Sequence, residues 1–414
     1  MHAMMEAAIA DKKMHIYASL FELSEPTLIG YLEQLGDRCH LILANGTHEK
    51  GSDENANAAK TLKGKVDLHR RILSQSSVYA HNKFVVFVTG GAAIRVWTGS
   101  TNWSPHGVYT QVNNGLMVSN ADVADAYLGE WKRLEAAGNT TPPPAFENVQ
   151  EQYHFTKSGV STSVFFSPHH IPKVDGANSP DIHYAAALIR GAKQGILTLM
   201  LDPGWTNSLL QTIRQVSEAD RNLYVRGVVN SDPTVNPGKN ATDTVGFLHG
   251  HEAIPSNYDI VLPGTAKSPD EPIEDYLGRV GIVVVHSKII VIDPLGEHPV
   301  IMTGSHNMGV KAATINDDNL IIIENDRDLA IAYAVSAISV FNHFWWRHNM
   351  ADPEKRKAAQ TAHHKLREKG HSLPGITTKS PTTEWKGLQT TDVWQDKFYR
   401  DSSQVSEMQF WGVK

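Results

Sequence analysis

The 414-residue chain is 41% hydrophobic and 20% charged, an ordinary globular composition, and it is long enough to bury a core without disulfides. Its single cysteine, Cys39, excludes an intramolecular disulfide and a cysteine-rich zinc site. With 38 Lys and Arg against 44 Asp and Glu the net charge is −6, which gives no general pull towards nucleic acid or anionic membrane, and no apolar run approaches the ~18–20 residues of a bilayer span.

In chain order, Met1 to Lys13 lacks a basic start followed by an apolar core, so it does not read as a signal peptide, and the sequence assigns no compartment. Ile16 to Leu20 reads as a first strand, Thr27 to Leu35 as a helix and Cys39 to Leu43 as a second strand. A basic cluster follows (Lys60, Lys63, Lys65, His69, Arg70, Arg71), which reads as a solvated helix face. Lys83 to Val88 is a near-continuous apolar run, the pattern of a strand buried on both faces, and Thr89-Gly90-Gly91 turns it. A further strand leads into Thr98-Gly99-Ser100, and Leu116 to Val118 looks like another.

The stretch Asn139 to Phe146, with three consecutive prolines, reads as a linker. Beyond it, Thr162 to Phe166 is strand-like and has no counterpart in the first half, so the chain reads as starting inside its first domain. Strands then recur at Ile196 to Leu201 and Leu223 to Val229, with a helix at Ser208 to Ala219 between them. Ser231 to Ser268, rich in Pro, Gly, Asn and Asp, reads as a long irregular loop. Ile289 to Ile292, the turn Pro294-Leu295-Gly296 and a strand at Leu320 to Ile323 complete the second half. Ala330 to Trp346 has the pattern of a helix with an apolar face, Ala351 to Lys369 is charged and helix-prone, and Ser372 to Lys414 reads as a surface-wrapping tail pinned by aromatics such as Trp385, Trp394, Phe410 and Trp411.

The halves are related. His81 to Asn102 aligns without gaps on His286 to Asn307 at a constant offset of 205, with eight identities in 22 pairs. Polar residues dominate the identities, including His81/His286, Lys83/Lys288, Gly99/Gly304, Ser100/Ser305 and Asn102/Asn307, while the apolar positions merely stay apolar. Shared packing would give the reverse pattern, so a site has been duplicated. Strands alternating with helices then imply an α/β fold. It would have two similar units, 1–148 and 149–350, each a mixed sheet covered by helices, followed by a segment 351–414.

Each copy places His-x-Lys at a strand start and Gly-Ser-x-Asn 18 residues after the histidine. On a strand the His and Lys of each pair share one face. Lysine and the asparagine amide donate to anionic oxygens, while histidine serves as nucleophile or acid–base near neutral pH. Two such copies about a pseudo-twofold axis would set two histidines on opposite sides of one ligand. That suits in-line displacement at phosphorus, one imidazole attacking and the other protonating the leaving oxygen. An ammonium beside each histidine argues against a metal, and no cofactor is expected. His169-His170 and His363-His364 read as surface residues.

At these residues the sequence resembles the phospholipase D superfamily, whose motif is His-x-Lys-x4-Asp followed by Gly-Ser-x-Asn. The second half matches in full: His286, Lys288, Asp293, Gly304, Ser305 and Asn307. The first half matches at His81, Lys83, Gly99, Ser100 and Asn102, but Val88 stands where the motif has aspartate. The resemblance implies two α/β units facing one active site and metal-independent phosphodiester chemistry through a phosphohistidine. It also implies an acid after Gly-Ser-x-Asn that orients the histidine. Asp318 is the candidate in the second half, and the offset puts Asn113 at the matching place in the first.

That asymmetry makes His286, with its acid partner, the expected nucleophile and His81 the general acid, although in several members of the family the first-half histidine attacks. Lys83, Lys288, Asn102 and Asn307 would hold the phosphate, with Ser100 and Ser305 supporting it. Trp103 and Trp205 could line an entrance for a lipid. The expected substrate is a phospholipid headgroup, hydrolysed or transferred. The alternatives are a nucleic-acid phosphodiester, with the basic cluster as its track, and a noncatalytic protein that binds a phosphorylated ligand. One His-x-Lys pair per half means that a monomer suffices for a complete site.

Overall fold

The computed structural model describes residues 1–46, 51–73, 78–145, 150–169, 178–204, 208–230, 258–261, 284–350 and 407–412. Trp205, most of the 231–268 loop, the helix expected over 351–369 and the tail as far as 406 lie outside the described residues. The chain forms two compact units. The first comprises Met1–Ala186, Gly281–Ile289 and Met302–Asn325; the second comprises Ala187–Val280, Ile290–Ile301 and Asp326–Lys414. These units cut across the halves 1–148 and 149–350 read from the repeat, because β-strand residues carrying the second motif belong with the first unit.

The first unit begins with helix α1 (His2–Ala10) and strand β1 (Met14–Leu20). Helix α2 (Pro26–Leu35) leads to β2 (Cys39–Ala44), and α3 (Ala56–Leu62) leads to β3 (Asp67–Arg71). A helix between successive strands returns the chain to the same end of the sheet, so β1, β2 and β3 pair in parallel. Strands β4 (Lys83–Thr89) and β5 (Ala92–Gly99) form a hairpin whose two connecting residues, Gly90 and Gly91, take φ of 63° and 82°. Only glycine adopts both angles without strain, and this turn matches the twist of the strands. Helix α4 (Pro105–Tyr109), strand β6 (Gly115–Val118) and helix α5 (Ala121–Ala137) follow.

The sheet order is β3-β2-β1-β4-β5-β6. Ile16, Ala18 and Leu20 of β1 face one way, where Met5, Leu28, Leu32 and Leu62 of α1, α2 and α3 bury against them. The alternate residues face α5: Tyr17 meets the edge of Trp131 at 5.0 Å and Phe84 that of Tyr127 at 5.2 Å. Two layers of helix therefore cover one sheet, and its strands read as apolar on both faces.

The expected helix face of basic residues does not form. Its members divide between α3, the turn after it and β3, and several of them meet acids: Lys65 with Glu33, Arg70 with Asp53, and His69 with Asp67 and Glu135. Arg71 is buried and pairs with Asp317 through both nitrogens, at 2.6 and 3.1 Å. It also donates to the carbonyls of Gly138 and Thr140, which clamps the start of the proline-rich linker.

The second sheet uses β7 (Gln152–Lys157), β8 (Val160–Ser167), β9 (Gly195–Met200), β10 (Tyr224–Val229), β11 (Tyr258–Val261), β12 (Lys288–Ile292), β13 (Val300–Gly304) and β14 (Asp318–Glu324). Its order is β11-β10-β9-β12-β13-β14-β8-β7, the first sheet's order with two strands added beyond β14. The described helices are α6 (Pro180–Arg190), α7 (Leu209–Ala219), α8 (Val310–Thr314) and α9 (Arg327–Met350). In the second unit, Phe410 of the tail stacks on Tyr224 at 4.5 Å, as a pinning aromatic should.

Asp293, the motif aspartate that the resemblance puts among the site residues, serves the fold. It lies just past the far end of β12 from Lys288, about 16 Å along an extended strand. Its Oδ1 accepts from the backbone N–H groups of Gln194 and Gly195 at 2.7 and 2.9 Å, and its Oδ2 accepts from Lys193 at 2.8 Å. The residue itself has φ of 46°. Asp293 thus fastens the turn after β12 to the start of β9 by capping three amides. Replacing Asp293 with Ala should destabilise the protein by about 3 kcal/mol in urea unfolding, since three donors to a charged acceptor lose it at once. A loss under about 1 kcal/mol would show that the carboxylate does not hold this turn.

Candidate active site

Both His-x-Lys pairs, both motif asparagines and the groups that orient the histidines belong to the first unit. Each motif histidine sits two residues before its lysine at the head of a strand, β4 or β12, so the two side chains of a pair point the same way. The backbone there bonds to the other repeat. His81 N–H donates to the Asp317 carbonyl and His286 N–H to the Val112 carbonyl, both at 2.9 Å. The segments 112–114 and 317–319 are equivalent under the offset of 205, so each repeat lends a segment to the other's histidine.

The side chains repeat this exchange. His81 Nδ1 lies 2.8 Å from Asp318 Oδ1, and His286 Nδ1 lies 2.8 Å from Asn113 Oδ1. Asp318 therefore orients His81, not His286 as chain order suggested. Ser305 Oγ donates to Asp318 Oδ1 at 2.6 Å and Ser100 Oγ to Asn113 Oδ1 at 2.8 Å. The serines thus hold the orienting groups rather than a ligand. The Asn113 amide nitrogen donates to the Gly107 carbonyl at 2.9 Å, so its oxygen is the atom that faces His286. Each imidazole consequently carries its proton on Nδ1 and turns Nε2 to the pocket.

Close backbone approach makes this possible. A Cβ on Gly99 would stand 2.3 Å from the Asn114 carbonyl oxygen, and one on Gly304 would stand 2.3 Å from that of Asn319. Those same carbonyls accept from Ser100 N–H and Ser305 N–H at 3.0 Å. Thr98 Oγ1 donates to Asn319 Oδ1 and Asn114 Nδ2 donates to Thr303 Oγ1, both at 2.7 Å. The glycine, serine and threonine identities of the repeat are thereby explained.

The lysines are fully buried. Lys83 Nζ donates to the His81 carbonyl at 2.8 Å and Lys288 Nζ to the His286 carbonyl at 2.7 Å, with His286 Nε2 a further 3.4 Å contact. Asn102 is also buried, Asn307 is half-buried, and the Oδ1 of each has no hydrogen-bond partner among the described residues.

Among solved structures, a phosphatidylserine synthase from Haemophilus influenzae matches at a TM-score of 0.50 and 10% identity, over 90% of this chain and 92% of its own. The chain has the phospholipase D superfamily fold. A polyphosphate kinase from Porphyromonas gingivalis matches at 0.47 and 11% identity over 77% of this chain, which spans only 44% of the kinase. The phospholipase D family member Nuc from Salmonella typhimurium matches 45% of this chain and 94% of its own, at a TM-score of 0.28 and 17% identity. No sequence-family profile matches the chain. No curated protein matches it either.

Within this fold, burial and the two lysines govern the titration of the pocket's histidines. Burial, then Lys83, push the His81 imidazole down to about 4, with Asp318 opposing in part. Burial, then Lys288, Lys83 and His81, push His286 well below its usual value. Burial pushes Lys83 down to about 8. For Asp318, burial works upward, but His81 and the surrounding donors outweigh it and hold the carboxyl below its usual range. Two ammonium groups and two neutral imidazoles converge here, which is the electrostatic signature of an anion receptor.

Sequence reasoning missed Glu22. Its Oε1 accepts from Asn102 Nδ2 at 2.6 Å and its Oε2 from Ser104 Oγ at 2.9 Å. Burial raises its pKa, against the Ser104 hydrogen bond and the charges of Lys83 and Lys288. The available signal was position: Glu22 follows the carboxyl end of β1, where ligands of open α/β sheets bind.

Trp103 is fully buried in the first unit's core, 6.1 Å from the Trp97 ring, so it lines no entrance. His169 is no surface residue either. It is buried between Glu151 and Asp181, and Asp181 also faces His306 Nε2 at 3.1 Å. His306 Nδ1 accepts from Met308 N–H at 2.9 Å, which leaves the proton on Nε2 to face Asp181.

Because the depressed pKa of His81 belongs to the folded state, the stability it contributes is complete above pH 6.5 and is lost as pH falls from 6.5 towards 4. An anion in the pocket should reverse part of the depression. Inorganic phosphate at saturation should raise the titration midpoints of His81 and His286 by a unit or more, read by NMR of labelled histidine. Unmoved midpoints would mean that phosphate does not sit between the imidazoles.

Proposed function

We propose that this protein is a phosphodiester hydrolase or transferase of the phospholipase D type, acting on a phospholipid headgroup. The observation that carries the reading is the reciprocal arrangement of the two histidines, each with Nδ1 fixed and Nε2 turned towards a pocket bearing two buried ammonium groups. His81 Nε2 attacks phosphorus, and His286 delivers its proton to the departing alcohol oxygen. The bond from phosphorus to that oxygen breaks, leaving a phosphoryl group on His81. His286 then takes a proton from water or an acceptor alcohol, whose oxygen displaces His81 from phosphorus. Lys83, Lys288, Asn102 and Asn307 hold the nonbridging oxygens.

The asymmetry of the orienting groups supports this division of labour. A carboxylate behind His81 stabilises the positive charge that develops on an attacking imidazole. The amide behind His286 stabilises an imidazolium less, which leaves it the stronger acid. The assignment reverses the roles expected from chain order. His286 gains its proton when the bound phosphodiester brings its negative charge beside the imidazole.

Two observations support a phospholipid over a nucleic acid. Lys65, Arg70 and Arg71 of the basic cluster are taken up by carboxylates, which weakens it as a track for successive phosphates. The fold is also shared over nine-tenths of the chain with a phosphatidylserine synthase.

The test is hydrolysis of bis(p-nitrophenyl) phosphate in EDTA. Activity should survive the chelator and fall at least about 1000-fold in His81→Asn and in His286→Asn. Mass spectrometry of a quenched reaction should find the phosphoryl group on His81. A phosphoryl group on His286 would exchange the two roles, and activity abolished by EDTA would overturn the mechanism.

A further inference from the structure

Gly-Ser-x-Asn occurs in both halves, yet the x residue differs: Thr101 in the first copy, His306 in the second. The two copies face one common task. The residue after each motif asparagine, Trp103 or Met308, is fully buried, so its amide needs an acceptor. In the first copy that acceptor is the Glu22 backbone carbonyl, at 3.1 Å from Trp103 N. In the second it is Nδ1 of His306, at 2.9 Å from Met308 N. An imidazole here does what an asparagine side chain does in an Asx-turn, accepting from the amide two residues on. Met308 has φ of 59°, a left-handed conformation that a bulky side chain adopts only where its surroundings impose it. On the other side, the Asn319 carbonyl accepts from Ser305 N–H at 3.0 Å and His306 N–H at 3.2 Å. Asn307 therefore sits between two fixed residues.

An imidazole accepts at Nδ1 only while its proton is on Nε2. The surroundings of His306 favour that state. Asp181, in the first turn of α6, sets its Oδ2 3.1 Å from His306 Nε2. His169, just past β8, sets its Nε2 3.3 Å from the same oxygen, and its Nδ1 lies 3.3 Å from Glu151 Oε2, just before β7. His306, Asp181 and His169 are all buried. Burial opposes a charge on His169, but Asp181 and Glu151 outweigh it and raise the imidazole to about 9, so at neutral pH His169 is a cation that balances Asp181. Strands β7 and β8, which bring Glu151 and His169 here, are the two that the first sheet lacks. The first copy, with Thr101, has no imidazole to hold.

We infer that His306 is a positioning residue for the reaction: its Nδ1 closes the turn that presents Asn307 to the phosphate, and Asp181 with His169 holds it in the one tautomer able to do so. The inference rests on the phosphodiester reading above and extends it to residues behind the pocket. The other tautomer, or an imidazolium, would aim an N–H at Met308 N–H, and two facing donors would open the turn. Asn307 would then fail to meet the nonbridging oxygen on which charge builds in the transition state.

Two substitutions separate positioning from packing. His306→Asn keeps an acceptor at the place of Nδ1 and gives up the contact with Asp181. His306→Gln reaches Asp181 but leaves Met308 N–H without its acceptor. In hydrolysis of bis(p-nitrophenyl) phosphate in EDTA at pH 7.5, on the full chain, His306→Asn should cost less than about 5-fold in kcat/KM and His306→Gln at least about 50-fold. A merely structural histidine gives the reverse order, because Gln keeps a partner for the buried carboxylate. His306→Gln equal to or more active than His306→Asn therefore overturns the inference. NMR of the unsubstituted protein with labelled histidine needs no variant to fold. His306 should carry its proton on Nε2 alone, the opposite tautomer to His81 and His286. A proton on Nδ1, or on both nitrogens, overturns the inference by itself. An unsubstituted protein that hydrolyses nothing overturns the phosphodiester reading and the inference with it; the other adverse outcomes strike the inference alone.

Discussion

Four hydrogen-bonding groups in the first unit decide most of what this protein can do: the Nδ1 atoms of His81 and His286 and the oxygens of Asp318 and Asn113 that receive them. Each contact joins one repeat to the other. Neither repeat could orient its own histidine, because the residue that does so comes from the opposite copy. The backbone supports the exchange, with residues 112 and 317 accepting from the motif histidines and the 114 and 319 carbonyls pressed against Gly99 and Gly304. A duplicated fold of this kind is constrained at its glycines, serines and threonines as tightly as at its reactive groups. Any side chain added at those glycines would push apart the strands that bring the imidazoles together.

The buried pair of Arg71 and Asp317 belongs to the same constraint. An ion pair with both partners 1% exposed contributes little net stability compared with apolar groups of the same shape, since both charges lose their water. Its geometry is what counts. Arg71 grips Asp317 through two nitrogens and two linker carbonyls through the rest of its guanidinium. Asp317 in turn accepts from His81 N–H and donates its own N–H to Tyr79. The neighbouring Asp318 is thereby delivered to His81 from a segment whose position is determined on both sides.

Divergence between the repeats has followed physical function. Where the copies differ at the motif aspartate, Asp293 caps three backbone amides, while its counterpart Val88 is a buried strand residue beside a β-bulge. That difference concerns the fold of each sheet, not the chemistry. Where they differ at the orienting group, carboxylate against amide, the acid–base character of the two imidazoles diverges. Glu22 adds an asymmetry outside the aligned motifs, beside the asparagine that would hold phosphate.

Much of this was legible in the amino-acid order. Apolar runs and glycine turns located β1, β2, β4, β9, β10 and β12 to within two residues, since strands buried on both faces leave a continuous signal. The offset of 205 located both His-x-Lys pairs, both asparagines and both candidates for an orienting group, because polar identities at equal spacing persist only where geometry demands them. What the sequence could not contain is which orienting group meets which histidine. That depends on a contact between residues more than 170 positions apart, and periodicity carries no information at that range. The same limit hid Glu22, hid Trp103 within the core, and concealed that Lys65, Arg70 and Arg71 are paired with acids across the fold. Sequence alone determined which chemical groups are present in duplicate; the tertiary structure decided which of them face one another, because pairing is a property of packed surfaces and not of order along the chain.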